Sequence, residues 1–351
     1  MAHRAAPHPS TWLSIRPQGL YCEPGGFFLD PRGGVDKAVV THGHSDHASP
    51  GHGAVLATSA TLAIMRARNA APAREQALRY GETITVGGVA VTLQPAGHVL
   101  GSAQIVLEYA GARAVISGDY KRRADPTCAG FIPVPCDVFV TEATFALPVF
   151  RHPPAEGEIA RLLASVALFP ERSHVIGCYA LGKAQRLIAL LRQAGWERPI
   201  FLHGALQTLC DLYVDRGIAL GERRPVSTRT VPTGTATASH RGLAGEIVLA
   251  PPSAIADRWA RRLGDPVVCA ASGWMRVRQR AKQGGVELPL VISDHADWPE
   301  LLATAVDVMA PEIWVTHGRE DALIHALGRL GIRGRALRLL GRDDGGGEAE
   351  E

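Results

Sequence analysis

Three imidazoles and a carboxylate fall within the stretch Thr41-His42-Gly43-His44-Ser45-Asp46-His47, directly after Lys37-Ala38-Val39-Val40. A lone loop histidine is usually solvated or hydrogen-bonded, but folding rarely needs such a density of metal-ligating groups. The preceding residues read as a short buried strand, so the polar side chains fan out at its carboxyl end. Imidazole and carboxylate together suit zinc, manganese or iron. His42 and His44, two positions apart, can point toward one ion. Asp46 and His47 are turned toward a position beside it, so the spacing suggests two metals.

Polar residues recur just past other strand-like runs. They are His98 in Ala96-Gly97-His98-Val99-Leu100-Gly101, Asp119 in Ser117-Gly118-Asp119-Tyr120, Glu142 in Thr141-Glu142-Ala143-Thr144-Phe145, then His295 and His317. Such positions line the crevice of α/β folds. Glycines beside His98, Asp119 and His317 permit tight turns that aim a side chain inward. Any one of these residues reads equally well as a capping group; their joint recurrence after the His42–His47 cluster argues against coincidence.

The elements that must position them alternate along the chain, which predicts an α/β protein. Strands are expected at Val89–Leu93, Gln104–Glu108, Arg113–Ser117 and Val138–Thr141. The Pro-rich patch His152-Pro153-Pro154 then breaks the pattern and marks a boundary. Beyond it follow strand His174–Cys178, helix Gly182–Ala194, strand Pro199–Leu202, helix Leu206–Asp215, strand Glu246–Leu249, helix Ser253–Leu263 and strand Val267–Ala270, the rhythm of a parallel sheet. Strand Leu288–Ile292 delivers Ser293-Asp294-His295, and strand Glu312–Val315 delivers Thr316-His317-Gly318. The Gly-rich, acidic end is expected to be disordered.

At 351 residues the chain can bury one large core or two. It has no apolar run near the roughly 20 residues that span a bilayer, and its start lacks the apolar core of a signal peptide, so a cytoplasmic location without membrane attachment is expected. Six cysteines without a CxxC pair read as buried thiols. A net charge of +3 does not by itself demand a nucleic-acid partner. Two basic clusters, Arg276 to Lys282 and Arg258 with Arg261 and Arg262, suit either phosphate contact or a solvated face.

The ordered set HxHxDH, then a His, then an Asp, resembles the metallo-β-lactamase fold superfamily, and the likeness spans nearly the whole chain. It implies an α/β fold, an αββα sandwich, with His42, His44 and His98 on one divalent metal ion and Asp46, His47 and His317 on the other. Asp119 would bridge the two, and Asp30 in Phe28-Leu29-Asp30-Pro31 would support the cluster from behind. Glu142, His295, His317 and the inserted α/β unit resemble the β-CASP nuclease branch. The implied organisation is a metallo-β-lactamase domain in two parts, 1–155 and 286–342, a β-CASP domain at 156–285, and a disordered tail at 343–351.

Within that branch the signals are mixed. Ile176 to Lys183, Ser272-Gly273-Trp274 and Thr144 to Pro148 resemble DNA-repair members, whereas His317 resembles RNA-cleaving ones. The overall likeness is to bacterial ligase-associated DNA exonucleases, often labelled mRNA 3′-end processing factors. The resemblance therefore implies a two-metal DNA nuclease, a single-strand exonuclease in DNA repair, functionally associated with DNA ligase and helicase. A ribonuclease is the alternative, and a non-catalytic nucleic-acid scaffold a more distant one. Zinc and manganese both suit the donors.

In such an enzyme Asp46 would orient the attacking water, and His295, hydrogen-bonded by Glu142, would protonate the departing 3′ oxygen. Lys183, at a helix start, would meet a substrate phosphate. Tyr179 and Trp274 read either as stacking platforms for a base or as packing residues.

Overall fold

The computed structural model describes residues 6–226, 243–256, 258–261 and 263–337. The chain forms two compact units, one running through Arg151 and resuming at His295, the other comprising His152–Asp294.

The first unit is built on two sheets. Among the described residues, one sheet joins, in order, Leu13–Arg16, Gly19–Cys22, Phe27–Leu29, Lys37–Val39, Ala54–Ala57 and Arg74–Ala77. The other joins Arg333–Ala336, Glu312–Gly318, Val138–Ala143, Ala112–Ile116, Ala103–Tyr109, Val89–Pro95 and Thr83–Val86. Period-2 alternation sorts their side chains into three cores. Val39 and Leu56 face Ile105, Leu107, Val140 and Trp314 between the sheets. Ala38, Val40 and Val55, on the opposite face of the first sheet, pack on Leu62 and Met65 of helix Ser59–Ala67. Val106, Val115, Phe139 and Ile313 pack on Leu301 of helix Trp298–Asp307 and Leu323 of helix Glu320–Arg329. The layers are helix, sheet, sheet, helix: an αββα sandwich.

The second unit has an all-parallel sheet, ordered Arg223–Pro225, Ile200–Leu202, Ile247–Ala250, His174–Gly177, Val267–Ala271 and Leu288–Leu290 among the described residues. Its boundaries differ from those expected. Strand Leu288–Leu290 hydrogen-bonds to Val267–Ala271, so the segment after 285 belongs here rather than to the sandwich, and the change of unit falls between Asp294 and His295. At the other end the change falls between Arg151 and His152, just ahead of helix Ala155–Leu168. The tail 343–351 and the side chains of Arg258, Arg261 and Arg262 lie outside what is described. The cysteines are free thiols, with Cys128 and Cys136 only partly buried. No helix among the described residues is long and apolar enough to cross a membrane.

The segment carrying His295 is pinned on its far side. The Ala296 amide donates to the Tyr120 carbonyl at 2.7 Å. Asp297 then caps helix Trp298–Asp307: its Oδ1 accepts from the Glu300 amide at 3.2 Å, while Glu300 Oε2 accepts from the Asp297 amide at 3.3 Å. Arg123 reaches Asp297 at 2.8 Å and Glu300 at 3.0 Å, tying the cap to the loop after Asp119. Replacing Asp297 with Ala removes the cap and takes one carboxylate from Arg123. We expect a loss of about 1–2 kcal/mol, read as a lower midpoint of thermal unfolding; an unchanged midpoint would show that the cap does not hold this helix.

Candidate metal centre

Asp119 is the hub of the polar cluster in the first unit. It follows strand Ala112–Ile116 through a turn at Gly118, where φ is +57° and an added Cβ would lie 2.7 Å from the Thr41 side chain. Its Oδ2 lies 3.5 Å from His42 Nε2, 3.5 Å from His47 Nε2 and 3.8 Å from His98 Nε2. His98 Nε2 is 3.0 Å from His44 Nδ1. Donor atoms of His42, His44, His98 and Asp119 lie within 4.8 Å of one another and could hold a metal ion. These are the residues that the family resemblance assigns to one ion, together with Asp119.

The second set is looser. His47 Nε2 lies 3.5 Å from Asp46 Oδ2 as well as from Asp119, and the His317 ring stacks 5.7 Å from that of His47. The other compact grouping among the described residues is instead Asp119, Glu142 and His295.

The imidazoles are aimed from behind. Asp30 Oδ1 accepts from the Thr41 amide at 2.7 Å, and Oδ2 accepts from the Thr41 hydroxyl at 2.6 Å. Oδ2 also lies 2.7 Å from His47 Nδ1. A carboxylate can only accept, so His47 carries a hydrogen on Nδ1 and Nε2 is the nitrogen turned inward. The Thr41 hydroxyl, having donated to Asp30, accepts from His42 Nδ1 at 3.0 Å and fixes the same tautomer there. Nε2 of His42 and of His47 are buried without a hydrogen-bond partner among the described residues. Inward-facing imidazole nitrogens of this kind, grouped with a carboxylate, fit a divalent cation.

The electrostatics carry the same signature. Burial, reinforced by the neighbouring imidazoles, holds His42 well below its usual pKa and so neutral. Burial also raises the Asp119 carboxyl. For His47 burial acts downward, but the carboxylates of Asp119, Asp46 and Asp30 prevail and push it up to about 9. A divalent cation would displace the extra proton that His47 holds at neutral pH, because ligands bind deprotonated.

Glu142 and His317 sit inside paired strands rather than past their ends. Glu142 pairs with Thr316 and Ala143 with Gly318, so the register shifts and His317 is the extra residue of a bulge. His317 accordingly takes φ +58°, and Gly318 takes φ +91° where a Cβ would meet the Ala143 carbonyl oxygen at 2.2 Å. Strain at a non-glycine residue of this sort marks a site where side-chain direction matters.

Glu142 is buried and engaged through both oxygens. Oε1 accepts from the Tyr120 amide at 2.8 Å; Oε2 accepts from the Thr144 hydroxyl at 2.5 Å and lies 2.9 Å from His295 Nδ1. With its lone pairs so used, Glu142 acts better as the partner of His295 than as a metal ligand. The His295 ring stands 4.7 Å from that of His98.

Sequence reasoning missed Thr41, which relays Asp30 to His42, and Lys121. The Lys121 ammonium, buried against Asp125 at 2.6 Å, donates to the His98 carbonyl at 3.4 Å. The hydroxyl heading the Thr41–His47 stretch and the i,i+4 spacing of Lys121 and Asp125 were the available signals.

The expected phosphate role of Lys183 is not supported by its surroundings in the second unit. Its side chain is fully buried, with Nζ 2.7 Å from the Ile292 carbonyl oxygen and 3.0 Å from Asp294 Oδ2. Arg186 meets Asp294 Oδ1 at 2.9 Å. Both cations serve a buried carboxylate and have no surface to offer a substrate. Tyr179 is half-buried ahead of helix Lys183–Gln193, and Trp274 is half-buried with Arg280 over its ring at 4.0 Å.

Two outcomes check this geometry. Asp30→Asn tolerates the φ of +44° at that position but leaves one oxygen to serve three donors. Divalent-metal affinity, measured by competition with a chromogenic chelator, should fall about 10–100-fold; unchanged affinity would mean that the imidazoles orient themselves. Lys183→Met should destabilise the chain by about 3 kcal/mol, near the lower end for breaking a buried pair, because Arg186 still faces Asp294. Denaturant unfolding reads this, and wild-type stability would show the pair to be dispensable.

Residues 28–172 match the family described as the Metallo-beta-lactamase superfamily. Over 327 residues, 91% of this chain, the sequence is 28% identical to a protein of Opitutus terrae named Probable DNA ligase, of which it covers 30%. It is 29% identical over 220 residues to Endoribonuclease ysh1 of Emericella nidulans, covering 51% of this chain and 24% of the relative. It is 34% identical over 130 residues to Cleavage and polyadenylation specificity factor subunit 3 of Dictyostelium discoideum, covering 36% and 16%. The chain thus spans less than a third of the length of these relatives. In fold it is similar to a crystal structure of a protein of unknown function from Enterococcus faecalis V583, with a TM-score of 0.55 at 12% identity, covering 80% of this chain and 74% of that one.

Proposed function

This chain carries a metallo-β-lactamase domain with relatives among the β-CASP nucleases, and from that premise we propose that it is a metal-dependent nuclease that hydrolyses phosphodiesters in DNA. The observation that carries the reading is the Glu142–His295 pair beside the Asp119 hub. It sets an imidazole held by a buried carboxylate next to a cluster of donors that could hold a metal ion, which supports a proton-donor role for His295.

His42, His44 and His98 would hold one divalent ion, Asp46, His47 and His317 the other, with Asp119 between them. Two such ions, zinc or manganese, would supply the positive charge that neutralises a phosphodiester and the acidity that makes a water nucleophilic at neutral pH. Asp46 has a side chain 40% exposed, against 11% for Asp119. It can therefore accept a hydrogen bond from the attacking water and orient it. On the other side of the phosphorus, Glu142 fixes the proton of His295 on Nδ1 and stabilises the imidazolium, so that Nε2 can deliver a proton to the departing 3′ oxygen. The products are 5′-phosphate and 3′-hydroxyl ends.

We favour single-strand exonuclease action in DNA repair, in functional association with ligase and helicase; the relative named Probable DNA ligase supports that association. The relatives named endoribonuclease support the alternative of RNA processing.

Digestion of end-labelled DNA and RNA strands of identical sequence, with zinc or manganese, separates these readings. We expect DNA to be shortened and RNA spared; the reverse selects the ribonuclease, and no turnover with either metal selects a non-catalytic scaffold. Asp46→Ala and His47→Ala should abolish cleavage with the fold retained, and near wild-type rates with saturating metal would refute the two-metal mechanism. His295→Ala should slow cleavage about 10²–10⁴-fold with metal content unchanged. Loss of one metal equivalent would instead make His295 a ligand, as its grouping with Asp119 and Glu142 permits.

A further inference from the structure

Cations on this protein's surface commonly meet a carboxylate: Arg16 meets Glu23 at 2.7 Å, Arg123 meets Asp297 at 2.8 Å, and Arg172 meets Glu287 at 3.0 Å. One segment of the second unit departs from this. From Arg276 to Gln283, across the end of the 3-10 turn Gly273–Arg276 and the helix Arg278–Gln283, the chain carries Arg276, Arg278, Arg280 and Lys282 and no carboxylate. All four are exposed. Arg276, Arg278 and Lys282 meet no carboxylate among the described residues, and the next one along the chain, Glu287, is engaged by Arg172.

The patch is also anchored. The Ser272 hydroxyl oxygen accepts from the Trp274 amide at 3.2 Å, Trp274 is half-buried, and the Arg280 guanidinium lies 4.0 Å over its ring. A guanidinium so stacked gives up little further freedom on binding and offers a planar cation to a base. Arg278 and Lys282, four apart in one helix, share a face at about 5–6 Å between Cβ atoms, the scale on which successive phosphates follow along a strand.

We propose that Arg276, Arg278 and Lys282, with Arg280 held on Trp274, form a phosphate-tracking surface for a single nucleic-acid strand, carried by the unit that does not contain the metal cluster. Cations left unneutralised by the protein lose little by exchanging water for phosphate, and each phosphate they cover releases a counterion. Trp274 thereby serves as the seat of a cation rather than as a bare stacking platform. This deepens the nuclease reading and rests on it.

The test is equilibrium binding of a fluorescein-labelled single-stranded thymidine oligonucleotide to the full chain, followed by anisotropy across a salt series with a chelator present to prevent cleavage. For the combined variant Arg276→Ala, Arg278→Ala, Lys282→Ala we expect at least a tenfold weaker affinity at low salt. The plot of log affinity against log salt should be shallower by about 2, the effect of losing three single-strand phosphate contacts. The replaced side chains are exposed, so the thermal midpoint serves as the control for folding. A folded variant with wild-type affinity and slope overturns the surface. Cleavage by the wild-type chain, assayed separately with metal, keeps the two ideas apart. Patch-dependent binding without cleavage supports the surface and removes the nuclease reading, whereas cleavage with an unchanged slope removes the surface alone.

Discussion

Asp30 accepts from three donors with two oxygens, and the candidate metal centre depends on that arrangement. Imidazoles are indifferent to which nitrogen carries the hydrogen until a neighbour decides it. Here one buried carboxylate decides it for His47 directly and for His42 through the Thr41 hydroxyl, so that in both rings Nε2 is the nitrogen turned inward. Hydrogen bonds to a charged group contribute about 1.5–3 kcal/mol each, enough to hold a backbone with φ of +44° at Asp30. The strain and the bonds are parts of one device: the turn costs conformational energy and places the carboxylate where three donors converge.

Glu142 performs the same service for His295, beside Asp119. Its oxygens are engaged by Tyr120, Thr144 and His295, so the imidazole it faces has a fixed orientation. The two carboxylates hold imidazoles from behind, while Asp119 faces them from the front. This division follows from hydrogen-bond supply. Asp30 and Glu142 are satisfied by backbone and hydroxyl donors, whereas Asp119 Oδ2 is placed among imidazole nitrogens at 3.5–3.8 Å.

The second unit illustrates how a charge can be misread from sequence. Lys183 at a helix start has the pattern of an anion site, and Arg186 follows it one turn on. Both are buried on Asp294, whose carboxylate lies more than one hundred positions away in the chain. By contrast, Arg276 to Lys282 reads as a charge run of either meaning, and only the fold shows that Arg276, Arg278 and Lys282 are exposed and meet no carboxylate among the described residues.

The αββα sandwich was legible through the family resemblance carried by the His42–His47 motif and the later His and Asp residues, and many of its strands were legible because period-2 burial is a local property. The outer half of the first sheet was not legible. Strand Arg74–Ala77 is exposed throughout and has no alternation to detect, and Leu13–Arg16 and Gly19–Cys22 are too short to stand out. The positions of the unit boundaries were likewise decided by pairing, since Leu288–Leu290 reads equally well with either unit until its hydrogen bonds are seen. What the sequence determined by itself was the identity and order of the donors. Tertiary structure alone decided which donors share a carboxylate, that His317 occupies a bulge, and that Lys183 faces inward, because tautomer, register and ion pairing depend on partners distant in the chain.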